Sequence, residues 1–256
     1  MKVRIKFQKY GSMKFVGHLD VMRYFQKAFR RAIVDVGYSQ GYSPHQQTSF
    51  AAPLGVGLTS DAEYMDADLL SYDAPEIMIE RINAVLTEGF RVIGFTILKE
   101  TEVGKKVMTA MSIVSAADYL VSLKDGYTLC DTITTQDEFK KAFEQFYSMC
   151  EIIIDKKTKK SEQSVNIKSM ISWIAFDRSK ELMANSVAEE YENGIRVTMQ
   201  LATGSASNLK PELVMEAFCN YFEIPSEKYA WQVHRLEVYT REEETGKLFP
   251  LDKVAY

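Results

Sequence analysis

Apolar and polar residues alternate at the start of the chain. In VRIKFQK, residues 3–9, Val3, Ile5 and Phe7 fall on one face and Arg4, Lys6 and Gln8 on the other, the pattern of a half-buried strand. Gly11 and Ser12 break it, and the period then changes. From residue 18 to residue 36, Met22, Phe25, Phe29, Ile33 and Val36 recur at helical spacing, with Asp20 in the first turn, where the helix dipole favours an anion. Gly37 stands where a C-terminal cap belongs. TSFAAPL and EYMDADLL read as strands joined through GVGLTSD, PEIMIERINAVL as a helix with Pro75 near its first turn, and FRVIGFTIL as a closing strand. The order β-α-β-β-α-β is that of a ferredoxin-like fold.

The same order recurs downstream. SAADYLVSL, CEIIID, GIRVTMQLAT and WQVHRLEVYT read as strands, and DEFKKAFEQFYSM and PELVMEAFCNYF as helices, the latter with Pro211 near its start. An insertion, KKTKKSEQSVNIKSMISWIAFDRSKELMANSVAEEYEN, separates the second and third of these strands, and its lysines read as a solvated turn. The expected fold is therefore α+β: two tandem ferredoxin-like (βαββαβ) units, the second with an insertion. Residues 1–100 form the first domain, 101–112 a linker and 113–256 the second domain. No apolar run reaches the roughly 18 residues that span a bilayer. The opening MKVRIKFQKY lacks the apolar centre of an export signal, so a cytoplasmic protein with no membrane partner is expected.

Charge changes this picture locally. The net charge is -4, yet the first fifty residues hold nine basic side chains against only Asp20 and Asp35, a local balance of +7. Such a field suits a polyanionic partner or a plain solvated face. Arg23, Lys27 and Arg30, at i, i+4 and i+7, place three cations on one helical stripe, with Arg31 adjoining; the stripe fits a phosphate backbone or the wet side of a helix. The loop after it, YSQGYSPHQQ, is richer than a connector needs. Gly41 tolerates positive φ and Pro44 stiffens the exit, while Tyr38, Ser39, Gln40, Tyr42, Ser43 and His45 supply donors, acceptors and aromatic faces. Aromatic rings beside cations and small hydroxyls hold unstacked bases and their phosphates, so this loop and helix form a candidate RNA site. His18, with Lys14 and Tyr10 just before it, fits a general acid or base, or a residue that packs at the helix entrance; no second ionisable catalyst is fixed beside it. Cys130, Cys150 and Cys219 are odd in number and widely spaced among apolar residues, which reads as buried free thiols. With no cysteine cluster and no paired histidines, no metal and no cofactor are expected.

FVGHLD at residues 15–20, AFRRA at 28–32 and YSQGYSP at 38–44, with SAADY at 115–119, LKPELVMEAF at 209–218 and VHRLE at 233–237, together resemble the radical-SAM-linked protein family, domain of unknown function 2344. The resemblance spans nearly the whole chain; His45 stands where the family often carries arginine. It implies a companion role. Members are encoded beside, or fused to, a radical SAM protein and often lie near genes for ribosomal proteins and an RNase E/G-type enzyme. The implied partners are thus a radical SAM protein and an RNA, either tRNA or rRNA, with the partner carrying the iron–sulfur cluster. Tandem ferredoxin-like units also occur in CRISPR repeat-processing endoribonucleases, which gives an alternative: metal-independent cleavage with His18 as acid or base and Lys14 or Tyr38 stabilising charge. A structural adaptor that binds no RNA is the third reading.

Overall fold

The alternation in residues 3–9 forms a strand, β1 (Lys2–Lys9), but most of both its faces is buried. The computed structural model describes residues 1–98, 108–157, 162–176, 185–205 and 207–254, and its architecture is α+β. Most of the expected linker lies outside the described residues, although its end forms a short helix, α3 (Ala110–Ile113). Contacts group the chain into two units, Met1–Ala116 with Glu237–Tyr256, and Ala117–Leu236. Among the described residues no helix is long and apolar enough to cross a membrane.

In the first unit β1 lies between β3 (Thr59–Asp68) and β4 (Phe90–Ile97), antiparallel to both. A three-residue β2 (Thr48–Phe50) pairs with β3, and β10 (Trp231–Arg241), carrying β11 (Leu248–Pro250), also lies beside β3. Val3, Ile5 and Phe7 are fully buried against α1 (His18–Arg31) in a core that includes Phe25, Phe29, Phe50 and Phe90. The Phe7 and Phe25 rings are 4.6 Å apart. Met78 and Ile82 of α2 (Pro75–Asn83) join the same core. The first helix ends earlier than the periodicity predicts. Ile33 takes φ +53°, and the Ile33 and Val34 N–H groups return to the Arg30 and Phe29 carbonyls at 3.3 and 2.9 Å, a left-handed C-cap built on isoleucine four residues before Gly37.

The polar face of β1 is covered rather than wet. Arg4 stands opposite Asp66 in register and is fully buried. Its guanidinium donates to both Asp66 carboxylate oxygens, at 2.8 and 3.2 Å, to the Leu251 carbonyl at 2.9 Å and to the Met108 carbonyl at 3.5 Å. Asp66 also accepts from the Ala110 N–H at 2.6 Å, at the start of α3. Two pairs further along, on the same face, the Tyr64 hydroxyl lies 2.7 Å from Glu237 and 3.0 Å from Asp252, while Lys6 meets Glu237 at 2.6 Å. Burial, then the two carboxylates, push the Tyr64 phenol far above its ordinary ionisation range, so it remains a neutral donor. These contacts explain why the segment from Glu237 packs with the first unit.

In the second unit β5 (Val114–Leu123) lies between β10 and β9 (Arg196–Ala202), and β9 pairs with β8 (Ile171–Ala175). Helices α4 (Gln136–Tyr147) and α5 (Pro211–Tyr221) supply Phe139, Phe143, Phe146 and Phe218 to the core, with the Phe143 and Phe218 rings stacked at 5.1 Å. The sheet strand before β9 is ISWIA, inside the expected insertion. The expected strand near CEIIID forms instead β6 (Ile153–Lys157), half of a separate ribbon with β7 (Glu162–Asn166). Of the three cysteines expected as buried thiols, only Cys219 is buried, on the core face of α5; burial, then Glu216, push its thiol up to about 11. Cys130 is half-buried, and Cys150 is exposed because it lies beyond the end of α4, off its phenylalanine face.

Two outcomes are expected. Arg4→Met leaves Asp66 buried without its cation and lowers stability by about 3–5 kcal/mol in urea unfolding, whereas adding Asp66→Leu restores part of that loss. At the start of α4 the Glu138 carboxylate accepts from the Thr134 N–H at 2.9 Å, the Thr134 hydroxyl at 3.0 Å and the Thr135 N–H at 3.0 Å. These bonds lower its pKa from 4.5 to about 2. A depressed folded-state value gives stability that is complete above pH 4.5 and lost as pH falls through about 2. Thermal unfolding followed over that range falls less steeply in Glu138→Gln than in the parent.

Candidate nucleic-acid interface

Burying Val21, Phe25, Ala28 and Phe29 turns Arg23, Lys27 and Arg30 outward along one stripe of α1. Arg23 meets Asp20 at 3.3 Å, both side chains being 67% exposed, so the pair is worth under about 1 kcal/mol and yields readily to a phosphate. Lys27 makes no ion pair among the described residues. Arg30 folds back to donate to the Gln26 carbonyl at 3.4 Å. Arg31 departs from this group. Its guanidinium donates to the Val85 carbonyl at 3.0 Å and lies 6.0 Å from the Tyr24 ring, so it fastens α1 to the connection after α2.

The loop after α1 is a narrow-necked turn. Tyr38 and Gln46 face each other in a β-bridge, and the Ser39 N–H donates to the His45 carbonyl at 2.9 Å. The His45 N–H donates to the Ser39 hydroxyl at 3.1 Å, and that hydroxyl lies 2.8 Å from His45 Nδ1. Here His45 closes the neck, a structural use distinct from binding an anion. Gly41 sits at φ +117° with no atom near its missing Cβ, so backbone conformation alone calls for glycine there. Gln40, Tyr42 and Ser43 project from the tip, and Tyr42 is fully exposed.

Gln46 joins loop to helix. Only 6% exposed, it donates through Nε2 to the Gln26 carbonyl and to the Tyr38 hydroxyl, each at 3.3 Å. Arg30 and the loop neck therefore converge on one backbone oxygen, which brings the basic stripe and Tyr38 onto one surface. Sequence reading missed Gln46. Its only signal was one more amide after the proline, and its partner is a carbonyl twenty residues earlier.

Lys14 and His18 are not brought to this neck. His18 opens α1, eight residues before Gln26, or about 12 Å along the helix axis. Its ring packs edge-on against Phe50, centroids 5.2 Å apart, and makes no hydrogen bond among the described residues. Lys14 lies in the 3-10 turn Gly11–Phe15, with its ammonium 5.5 Å from the Phe15 ring centroid.

The chain is thus an α+β protein whose candidate site is a basic helix joined to an aromatic loop. The model of the family described as an uncharacterized protein conserved in bacteria, DUF2344, matches residues 2–211, and the chain belongs to that family. A search of curated proteins finds no match. Among solved structures, a chain of "Crystal Structure of a Cbf5-Nop10-Gar1 Complex" is similar at a TM-score of 0.43 and 8% identity, the alignment covering 91% of this chain and 47% of that one.

The packing of His18 sets an expectation. His18→Ala removes one edge-on ring pair and lowers stability by about 0.5–1.5 kcal/mol in chemical denaturation, with the far-ultraviolet circular dichroism unchanged.

Proposed function

We propose that this protein is an RNA-binding accessory that holds RNA across α1 and the 38–46 loop and presents it to a partner radical SAM enzyme. The observation that carries the RNA reading is the shared Gln26 carbonyl, on which Arg30 and the loop neck converge. Phosphates then meet Arg23, Lys27 and Arg30, and bases stack on Tyr38 and Tyr42. The radical SAM partner rests on the sequence motifs described above, and affinity purification from the native cell is expected to recover that enzyme together with RNA. We also read the two strand orders as tandem ferredoxin-like units: β4-β1-β3 with β2 on β3, and β10-β5-β9-β8, each place the first strand of a βαββαβ set between its fourth and third. Nothing in the site favours the endoribonuclease alternative, because the His18 ring is engaged with Phe50 and stands away from the loop.

The two kinds of contact separate in a titration against single-stranded RNA at several salt concentrations. Replacing Arg23, Lys27 and Arg30 together by alanine removes three phosphate contacts and flattens the slope of log affinity against log salt by about 2, at roughly 0.7 per contact. Tyr42→Ala removes a stacking platform and weakens binding by roughly 1–3 kcal/mol with the slope unchanged. Binding that is indifferent to both changes overturns the proposal.

A further inference from the structure

Gln46 has one buried atom left over. Its Nε2 is used twice, but Oε1 is buried and has no hydrogen-bond partner among the described residues. Turning the amide over would set that oxygen against the Gln26 carbonyl, two acceptors facing each other, so the orientation is fixed by its partners. Because the Tyr38 hydroxyl accepts from the same amide, its own proton points elsewhere. The neck of the loop thus offers a donor, Tyr38 Oη–H, beside an acceptor that lacks its donor, Gln46 Oε1.

We infer that these two groups read the pairing edge of an unpaired nucleobase. This rests on the RNA-binding reading above and deepens it by naming single-stranded RNA as the ligand. Every base carries the complement on its pairing edge, an N–H next to an acceptor: N3–H and O4 in uracil, N1–H and O6 in guanine, an exocyclic amine and a ring nitrogen in adenine and cytosine. In a duplex those groups are already bonded. The Tyr38–Gln46 pair therefore selects unpaired bases over paired ones without selecting a sequence. Oε1 is buried in the free protein, so a base reaches it as the loop neck opens rather than by entering an open cavity.

The test compares three ligands on the full chain by fluorescence anisotropy: a short oligouridylate, the same oligomer built from N3-methyluridine, and a duplex of equal length. Methylation removes the N3–H donor while keeping charge and ring. The oligouridylate is expected to bind about fivefold or more tightly than either of the others, the worth of one satisfied acceptor. Gln46→Met is expected to bring the ratio to the methylated oligomer close to one, whereas Tyr38→Phe, which keeps the ring and the Gln46–Gln26 bond, is expected to weaken oligouridylate binding about fivefold while the methylated oligomer still binds less tightly, and it serves where Gln46→Met disturbs the loop. If the parent protein binds the methylated oligomer or the duplex as tightly as the oligouridylate, the inference is overturned and RNA binding stands. If it holds none of the three at low salt, the RNA-binding reading itself falls, and the inference with it.

Discussion

The bidentate pair between Arg4 and Asp66 fixes the register on which the first unit is built. The two residues face each other on adjacent strands, both buried, and their spare hydrogen-bonding capacity reaches the Leu251 and Met108 carbonyls and the Ala110 N–H. Burying two charges is costly, and the cost is offset only when every lone pair and proton is satisfied. A slip of β1 by one residue would turn Arg4 into the ring cluster around Phe7 and Phe25 and send Val3, Ile5 and Phe7 to the charged side. A slip by two residues keeps those apolar residues inward but takes Arg4 off Asp66, so charge chooses among the registers that the apolar face leaves open.

The rest of the site follows from that choice. With Val3, Ile5 and Phe7 on one face, α1 docks through Phe25 and Phe29, and its remaining stripe must face water with Arg23, Lys27 and Arg30 on it. The isoleucine cap at Ile33 then turns the chain early. Ile33 is 81% exposed and held at a positive φ that a β-branched side chain rarely adopts, so the turn is imposed by the Schellman-type bonds around it rather than by local preference. Turning there is what returns the loop neck to the middle of α1, at Gln26, instead of carrying it beyond the helix end.

Much of this was legible in the sequence, and the limits have physical causes. Alternation located β1 and its core face, but it carries no information on whether the polar face is solvated, and here that face holds the buried charges. Periodicity placed α1 but overran its end, since isoleucine is a poor nominee for a left-handed cap and Gly37 a good one. In the second unit CEIIID and ISWIA look equally strand-like, and only pairing with β9 decides between them. The loop's aromatic and polar character was plain, whereas its attachment through Gln46 depends on a backbone carbonyl, a group every residue possesses and no pattern marks.

Net charge is a poor guide to the proposed role of this surface. At physiological ionic strength fields decay over about 8 Å, so in that role a polyanion beside α1 would respond to the charges nearest it more than to the net charge of the chain. Arg31, one residue after Arg30, is spent on the Val85 carbonyl and adds to the fold rather than to the stripe. The site thus divides its labour by element: the helix supplies charge on a rigid support, and the loop supplies rings from a neck already closed by Ser39, His45 and Gln46. In the proposed RNA-binding role, a neck ordered before binding would leave only the exposed tip around Tyr42 to be fixed by the ligand, which would lower the entropic cost of holding a flexible strand.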